Sequence, residues 1–457
     1  MLAEKTRIHL IGIGGIGVSG VARALLALGH DVSGSDVRES QLTTWLRDAG
    51  AKVVIGHAAD NLEGVELVVH STAIPETNVE LVTARERGIP VRHRSELLGD
   101  ILDTRPVAVG VVGTHGKGTV TSAITWILET AGRRPSFIIG GLLENMGKQN
   151  ARVTDSDVIT AEVDESDGSL KNIRPTVVVV NNLEADHLNY YDSLEHVQDT
   201  VVAALNDNPR LERVIVNHDD AGARAIIGRL KAPVTTFGRG AGADVRGVDA
   251  EAGLHGGRFT LLAHGEPLGA VALSQPGLYN VDNAIAAAAG ALHLGVGYAD
   301  IAAALRDFSG LENRFTVVHA AGRRIVKDYI SHPTGIRRVL QAAASDDGPI
   351  TAVFKPYRFT MINYLQDDYA EAFHDATHTI ITELYTAGEV PIPGIDTAYL
   401  CDKIRARGPE VTYIPEMDDI VPWLRDNVGE GQQVIFFGGD DLFRLADRYA
   451  SELEAAE

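Results

Sequence analysis

The sequence predicts an α/β protein with three domains: a Rossmann-like N-terminal domain, a central P-loop domain, and a Rossmann-like C-terminal domain. Two glycine-rich turns each follow an apolar run and precede an amphipathic segment. Apolar runs alternate with helical segments along the rest of the chain, which indicates mostly parallel sheets. A length of 457 residues suits about three domains of ordinary size.

The first glycine-rich turn lies near the N-terminus. A buried strand over residues 6–12 leads into G-x-G-x-x-G at Gly12, Gly14 and Gly17; a helix follows, and a second strand ends at Asp36. In a βαβ unit of this kind, the helix N-terminus holds a diphosphate and the acid holds a ribose hydroxyl. We therefore expect a nucleotide diphosphate here. The alternative is a tight turn that serves helix–strand packing alone.

The second glycine-rich turn lies in VAVGVVGTHGKGTVTS, which runs from Val107 to Ser122. Its spaced glycines let backbone amides converge on a small anion, and the helix N-terminus adds partial positive charge. Lys117 supplies the charge for terminal phosphates, so the turn predicts an ATP site. Because Gly118 follows the lysine, the hydroxyl that binds Mg2+ must come from Thr119.

Acidic and polar side chains follow the next buried strands of the central domain. Carboxylates and a histidine at strand ends near a phosphate loop are what Mg2+-ATP chemistry needs. For Asp164, Asp167 and Glu184, the alternative that they only solubilise loops stays open. That alternative is weak for Glu162 and His187, which lie directly at strand ends.

The domain limits follow from breaks in this pattern. Arg105-Pro106 ends the first domain because proline disfavours a helix before it, and GLENRF at 310–315 closes the middle domain. The predicted domains are therefore 1–105, 106–316 and 317–457. Residues 240–275 have short alternating segments typical of a small antiparallel sheet attached to the central domain. Asn280 is predicted to cap the helix that follows.

Composition excludes several classes of function. The net charge of -21 argues against a nucleic-acid partner and against binding to an anionic membrane. A single cysteine excludes a disulfide framework and a thiolate metal cluster. No apolar run approaches the ~20 residues of a membrane span, and the first residues do not resemble a signal peptide. We therefore expect a cytoplasmic protein without membrane insertion.

Several motifs together resemble the Mur ligases, the ATP-dependent amide-bond-forming enzymes of peptidoglycan precursor synthesis. The resemblance covers nearly the whole chain. It implies a UDP-sugar domain, an ATP-binding domain and a C-terminal domain that docks an amino acid. Two of the motifs, the GIGGIG opening and the long ELYTAGEVPIPGIDTAYLCDKI stretch, point to the family's L-alanine-adding activity. The motifs are HLIGIGGIGVSG with SGSD, GTHGK, AEVDESD, NNLEADH, PGLYNVDNAIAA, ENRF, DYISHPT and ELYTAGEVPIPGIDTAYLCDKI.

The resemblance implies a reaction and a role for individual residues. The lactyl carboxylate of UDP-N-acetylmuramate attacks ATP to give an acyl phosphate, and the amine of L-alanine then displaces phosphate. Lys117, Glu162 and His187 are the implied catalytic residues, and Thr119, Glu162 and His187 the Mg2+ ligands. For His115, substrate orientation and a structural loop role stay equally open. The implied ATP contacts are Gly113, Thr114, His115, Gly116, Lys117, Gly118, Thr119, Asn280, Asn283, Arg314 and Asp328. The implied substrate contacts are Gly12, Gly14, Gly15, Gly17, Asp36, Ser71, His332 and Arg358.

The chain departs from the family pattern mainly in its last third. Gly118 stands where a threonine is usual, and Met361 replaces the second arginine of a stretch in which Arg358 is kept. Loss of an arginine removes a bidentate anion clamp, so the acceptor or its handling can differ. The other departures are Lys327, Ile330, Ser331, Tyr279 and the sequence GGDDLF.

Other functions compete with L-alanine addition. One is a divergent Mur-type ligase that adds another amino acid or peptide to a UDP-sugar or a related carboxylate. Another is a nucleotide-binding paralogue with little catalysis, which Gly118 and Met361 favour and which the retained Lys117, Glu162 and His187 oppose. A dehydrogenase would leave the phosphate loop without a purpose. The sequence leaves amino acid specificity and oligomeric state open.

Overall fold

The computed structural model describes residues 4–165, 168–186, 190–345 and 348–456. No helix among these residues is long and apolar enough to cross a membrane. The α-helices are α1 (Ile16–Ala27), α2 (Gln41–Asp48), α3 (Val79–Glu86), α4 (Arg94–Leu102), α5 (Lys117–Thr130), α6 (Leu194–Asn206), α7 (Ala221–Ile226), α8 (Leu278–His293), α9 (Tyr298–Arg306), α10 (Pro333–Ala343), α11 (Phe359–Ala372), α12 (Thr397–Arg405), α13 (Ile420–Asn427) and α14 (Asp440–Glu454).

The strands of the described residues form three sheets, and this confirms the predicted α/β fold. They are β1 (Arg7–Ile11), β2 (Asp31–Asp36), β3 (Lys52–Ile55), β4 (Leu67–His70), β5 (Val91–His93), β6 (Val107–Val112), β7 (Ser136–Leu143), β8 (Gln149–Arg152), β9 (Val158–Glu162), β10 (Val177–Val180), β11 (Arg213–Asn217), β12 (Val234–Gly238), β13 (Val245–Gly253), β14 (Gly256–Ala263), β15 (Glu266–Leu273), β16 (Thr316–Ala320), β17 (Arg323–Asp328), β18 (Ile350–Phe354), β19 (His378–Ile381), β20 (Glu410–Tyr413) and β21 (Gln433–Phe437).

The N-terminal sheet has the order β3-β2-β1-β4-β5, and all its strand pairs are parallel. The strand order reverses between β1 and β4, so the loops after these two strands border a crevice at the carboxyl edge of the sheet. The glycine-rich turn follows β1, and Ser71 follows β4 directly. This arrangement confirms the Rossmann-like fold and puts both predicted substrate loops at the switch point.

The central sheet has ten strands in the order β15-β14-β13-β12-β11-β10-β6-β9-β7-β8. Strand β6 lies between β10 and β9, parallel to both, so the phosphate loop after β6 is flanked by the ends of these two strands. The strands predicted between residues 240 and 275 are present, and they continue this sheet because β13 pairs in parallel with β12.

The chain divides into two compact units. The first contains residues 1–248, 260–271 and 282–311, and the second contains residues 249–259, 272–281 and 312–457. Within the first unit, α1 packs against β7 and β8, and Asn150 Nδ2 donates to the Ile16 carbonyl and to Ser19 Oγ at 3.0 and 2.9 Å. The N-terminal and central sheets therefore share one hydrophobic core. The domain limits at residues 105 and 316 stay a prediction.

The second unit contains a six-stranded sheet in the order β16-β17-β21-β18-β19-β20. Strand β16 pairs with β17 in antiparallel fashion, and the other pairs along β17, β21, β18, β19 and β20 are parallel. One hydrophobic cluster includes residues of α10, α11 and α12, and another includes residues of α13 and α14. This sheet with helices on it confirms the Rossmann-like C-terminal fold.

Candidate active site

The phosphate loop requires glycine at two positions. Gly116 precedes α5 with a φ of 77°, and a Cβ there would lie 2.5 Å from Asn283 Oδ1 and 2.7 Å from Asn181 Nδ2. Gly113 has a φ of 149°, and its Cβ would lie 3.0 Å from the Asn182 carbonyl oxygen. No side chain caps the N-terminus of α5, so its first amides are available to an anion.

The two asparagines that follow β10 hold the phosphate loop in place by hydrogen bonds to the backbone of His115. Asn182 Oδ1 accepts a hydrogen bond from the His115 amide at 2.7 Å, and the side-chain amides of Asn181 and Asn182 both donate to the His115 carbonyl at 2.9 Å. Asn181 Nδ2 also donates to Asn283 Oδ1 at 3.0 Å. Sequence reasoning gave these asparagines no role, although their position after a buried strand was a usable signal.

His115 is therefore held mainly through its backbone. Its ring Nε2 lies 3.4 Å from Glu184 Oε2, and the ring is partly buried. These contacts support a structural role in the loop and leave the ring's role toward substrate a proposal. Glu184 therefore contacts His115 within the site, so its role is not limited to keeping a loop soluble, the alternative left open for it.

Lys117 begins α5 and points back into the loop. Its Nζ donates to the Gly113 carbonyl at 2.7 Å and lies 2.9 Å from Glu165 Oε1. Burial disfavours the charged ammonium, but the carboxylates of Glu165, then Asp164 and Glu162, outweigh it and raise the Lys117 pKa. The lysine thus keeps its charge at neutral pH, and that charge is what a phosphate would meet.

Glu162 ends β9 beside the first turn of α5. Its Oε2 accepts a hydrogen bond from the Gly140 amide at 2.8 Å. A Cβ at Gly118 would lie 2.9 Å from Leu311 Cδ1 and 3.0 Å from Glu162 Oε2. A side chain at position 118 would therefore require the ends of the Glu162 and Leu311 side chains to shift, because they lie beside this glycine.

The donor set near the loop suits a hard cation. Glu162 offers a carboxylate, and the partly buried Thr119 hydroxyl makes no hydrogen bond to any residue that the structure describes. Oxygen ligands of this kind suit Mg2+. The expected contribution of His187 and the alternative weighed for Asp167 lie outside the described residues.

Replacement of Thr119 tests the hydroxyl assignment. We expect Thr119→Ala to raise the Mg2+ concentration needed for half-maximal activity by about tenfold, the size typical of a lost metal-site contact. Thr119→Ser keeps the hydroxyl and should retain the wild-type requirement. Titration of activity against Mg2+ at saturating ATP measures the difference. An identical Mg2+ curve for Thr119→Ala would remove Thr119 from the metal site.

The N-terminal glycine-rich turn forms as predicted, and Asp36 stabilises it by a hydrogen bond. Gly12 has a φ of 72°, which favours glycine. Asp36 Oδ2 accepts a hydrogen bond from the Gly14 amide at 2.9 Å, and a Cβ at Gly14 would lie 2.9 Å from the same oxygen. Gly15 precedes α1 without a side-chain cap. Asp36 therefore fixes the turn whether or not it also binds a ribose.

Five predicted site residues lie in the second unit: Asn280, Arg314, Asp328, His332 and Arg358. Asp328 is 2% exposed, accepts from the Phe315 amide at 3.0 Å and has Oδ1 3.9 Å from Arg314 Nη1. Arg358 has a φ of 64°, which is backbone strain of the kind found at functional sites. Its guanidinium carbon lies 5.0 Å from the centroid of the Tyr357 ring. His332 caps α10, since its Nδ1 accepts from the Thr334 amide at 3.3 Å.

Asn280 differs from its sequence-based expectation. Helix α8 begins at Leu278, so Asn280 lies in the first turn and does not cap the helix. Its Nδ2 donates to the Pro276 carbonyl at 2.8 Å and fixes the start of the helix by a different bond. The helix starts early because Gly277, with a φ of 82°, turns the chain before it.

The buried carboxylate of Asp328 is expected to destabilise the folded chain at neutral pH. Burial raises its pKa to about 6, although Arg314 and the Phe315 amide favour the charged form. The folded state therefore loses stability as the pH rises from about 4 to 6, and the loss is complete above that range. We expect Asp328→Asn to stabilise the chain at pH 7.5 by up to about 3 kcal/mol, with no gain below pH 4. Urea denaturation at both pH values measures this, and an Asp328→Asn variant less stable at pH 7.5 contradicts it.

Comparisons with known proteins match all three parts of the chain. Residues 7–105 match the family model "Mur ligase family, catalytic domain", residues 111–291 match "Mur ligase middle domain", and residues 313–439 match "Mur ligase, glutamate ligase domain". The chain is similar to proteins named UDP-N-acetylmuramate--L-alanine ligase from Trichlorobacter lovleyi, with 38% identity over 99% of this chain and 100% of that one, and from Geotalea daltonii, with 38% identity over 100% of both. It is also similar to the crystal structure of UDP-N-acetylmuramate-alanine ligase MurC from Thermotoga maritima, with a TM-score of 0.83 and 26% identity over 99% of this chain and 100% of that one.

Proposed function

The chain belongs to the Mur ligase family, and we propose that it is the ATP-dependent ligase that joins L-alanine to the lactyl carboxylate of UDP-N-acetylmuramate in peptidoglycan precursor synthesis. The observation that carries this proposal is full-length similarity to L-alanine ligases together with a phosphate loop whose lysine is partly buried among carboxylates. Both substrates, ATP and a UDP-sugar, belong to the cytoplasm, so we place the reaction there.

Phosphoryl transfer is the first step of the proposed reaction. The lactyl carboxylate attacks the ATP γ-phosphate, ADP leaves, and an acyl phosphate forms. The partly buried ammonium of Lys117 and the uncapped first turn of α5 would stabilise the charge that develops on the transferring group. Mg2+, when bound by Glu162, Thr119 and His187, would neutralise phosphate charge.

Amide formation is the second step. The amine of L-alanine attacks the acyl carbonyl, a tetrahedral intermediate forms, and phosphate leaves as the amide is completed. Arg358, with its strained backbone beside Tyr357, is the proposed contact for the amino acid carboxylate. Arg314 and Asp328 are the proposed ATP contacts from the second unit, and Asn283 lies beside the phosphate loop.

A second candidate, addition of a different amino acid or peptide, rests on Met361. Where the family usually has an arginine, Met361 is partly buried and packs against the hydrophobic core of the second unit. A packed methionine offers no charge to a carboxylate. The paralogue with little catalysis is less favoured, because Lys117 and Glu162 keep the arrangement that phosphoryl transfer needs.

Phosphate release tests the proposal. The protein would be incubated with Mg2+-ATP and UDP-N-acetylmuramate across a panel of single amino acids, and the product mass would be determined. Release that is strongest with L-alanine, with a product heavier by one alanyl residue, is the expected result. Strongest release with another amino acid favours the second candidate. No release with any acceptor contradicts the ligase assignment.

A further inference from the structure

The path of the N-terminal glycine-rich turn depends on the last two residues of β2. The Ser35 carbonyl accepts hydrogen bonds from the Gly12 amide at 2.8 Å and from the Ile13 amide at 3.0 Å. The next residue, Asp36, accepts from the Gly14 amide at 2.9 Å through its side chain. Three consecutive amides of the turn are therefore held by the end of β2, and a shift of Ser35 would move the turn.

A buried carboxylate in turn holds Ser35. Its hydroxyl donates to Glu80 Oε2 at 2.5 Å and lies 2.9 Å from His57 Nδ1. Glu80 Oε1 accepts from Asn61 Nδ2 at 2.6 Å and from the Ala58 amide at 3.3 Å. The side chain in the first turn of α3 thus joins the end of β2 to the segment that follows β3.

The packing of the N-terminal sheet does not by itself call for a charge at this position. The backbone of β2 is already paired on both sides, with Ser35 opposite Ile11 on β1 and opposite Val54 on β3. A buried carboxylate loses its hydration, and apolar side chains of similar size often hold a core together equally well. The bonds of Glu80 instead converge on the residue whose carbonyl holds the glycine-rich turn.

We propose that Glu80 is a positioning residue for the UDP-sugar: it acts through Ser35 to hold the glycine-rich turn in its binding conformation. The inference rests on the proposed function, which supplies the UDP-sugar. Both side chains are fully buried, so Glu80 acts on the ligand through the turn and without touching it. The alternative is that the same hydrogen bonds stabilise the fold and have no effect on binding.

Substitution of Ser35 tests the inference, because it cuts the link and leaves the carboxylate in place. Binding of UDP and of UDP-N-acetylmuramate would be measured by calorimetry, well below the melting temperature of each variant. Ser35→Ala should weaken both about tenfold, the loss expected for one hydrogen bond to a charged group. Ser33→Ala is the matched control, because Ser33 lies on the same strand and its Oγ contacts His9 Nδ1 at 3.0 Å. It should leave both affinities nearly unchanged.

A double-mutant cycle separates positioning from general destabilisation. Glu80→Gln keeps the size of the side chain but has one acceptor oxygen where the carboxylate has two, so it should also weaken UDP binding. The variant with both changes should bind UDP no more weakly than Ser35→Ala alone, because Glu80 acts through Ser35. In ligation assays Ser35→Ala should raise the KM for UDP-N-acetylmuramate and leave kcat and the KM for ATP nearly unchanged, whereas a loss of folded protein would lower kcat.

Each remaining outcome has a definite meaning. If Ser35→Ala melts earlier and binds UDP as the wild type does, the bonds only stabilise the fold and the inference is wrong. Equal weakening by Ser33→Ala, or additive losses in the double variant, also contradict it. A wild type that binds UDP but releases no phosphate with any amino acid contradicts the proposed function and leaves the Glu80 result standing. A wild type that binds neither UDP nor UDP-N-acetylmuramate contradicts both.

Discussion

Lys117→Ala is expected to lower kcat for ATP-dependent ligation by about 100- to 1,000-fold, while the chain stays folded. In the proposed reaction the ammonium faces the transferring phosphoryl group, and removal of one such preorganised donor costs about 100- to 1,000-fold in well-studied enzymes. The loss should fall on kcat more than on KM, because the lysine acts on charge that develops during transfer.

A matched lysine controls for general effects of charge removal. Lys171 lies in the same compact unit, is exposed, and has no salt bridge or side-chain hydrogen bond among the described residues. Lys171→Ala should keep wild-type kcat. Phosphate release under saturating Mg2+-ATP, UDP-N-acetylmuramate and L-alanine measures both variants. If Lys117→Ala retained a rate within a few-fold of the wild type, Lys117 would have no catalytic role.

Glu80→Ala is expected to cost about 3–5 kcal/mol of stability, the largest structural effect that we predict. The Glu80 carboxylate, in the first turn of α3, is fully buried. Its Oε2 accepts from Ser35 at 2.5 Å, one residue before Asp36, and its Oε1 accepts from Asn61 at 2.6 Å and from the Ala58 amide at 3.3 Å.

Two histidines complete the surroundings of Glu80. His9 Nε2 lies 3.6 Å from Oε1, and His57 Nδ1 lies 3.2 Å from Oε2. Burial alone would raise the Glu80 pKa, but the nearby His9 ring and the hydrogen bonds from Ser35 and Asn61 outweigh it and lower the pKa to about 2. The carboxylate thus adds about 3 kcal/mol of stability above pH 4.5, and this is lost as the pH falls toward 2.

Urea denaturation at pH 7 and at pH 3 measures this contribution, and hydrogen exchange of peptides from β1 and β2 locates it. The difference between wild type and Glu80→Ala should shrink at pH 3. Glu86→Ala, an exposed acid on the same helix α3, should leave stability within about 0.5 kcal/mol. Equal stability of Glu80→Ala and wild type at pH 7 would contradict the structural role of this network.

Local sequence patterns were sufficient to predict the strands and the phosphate loop. Glycines, β-branched runs and a lysine before a helix act within a few residues, so the strands and the phosphate loop could be read from the chain itself. The asparagine contacts to His115 could not, because Asn181 and His115 meet only when β10 pairs with β6.

The sequence by itself determined the three α/β sheets, the phosphate loop after β6 and the Mur ligase family. Only the tertiary structure decided which side chains surround Gly118, which carboxylates lie around Lys117 and that Arg94 faces Gly17. These features depend on side chains distant in the sequence, such as Leu311 beside Gly118 and Arg94 beside Asp164. Periodicity and spacing report which face of a strand or helix is buried. They do not report which distant side chain fills the space opposite, because chain folding sets that pairing.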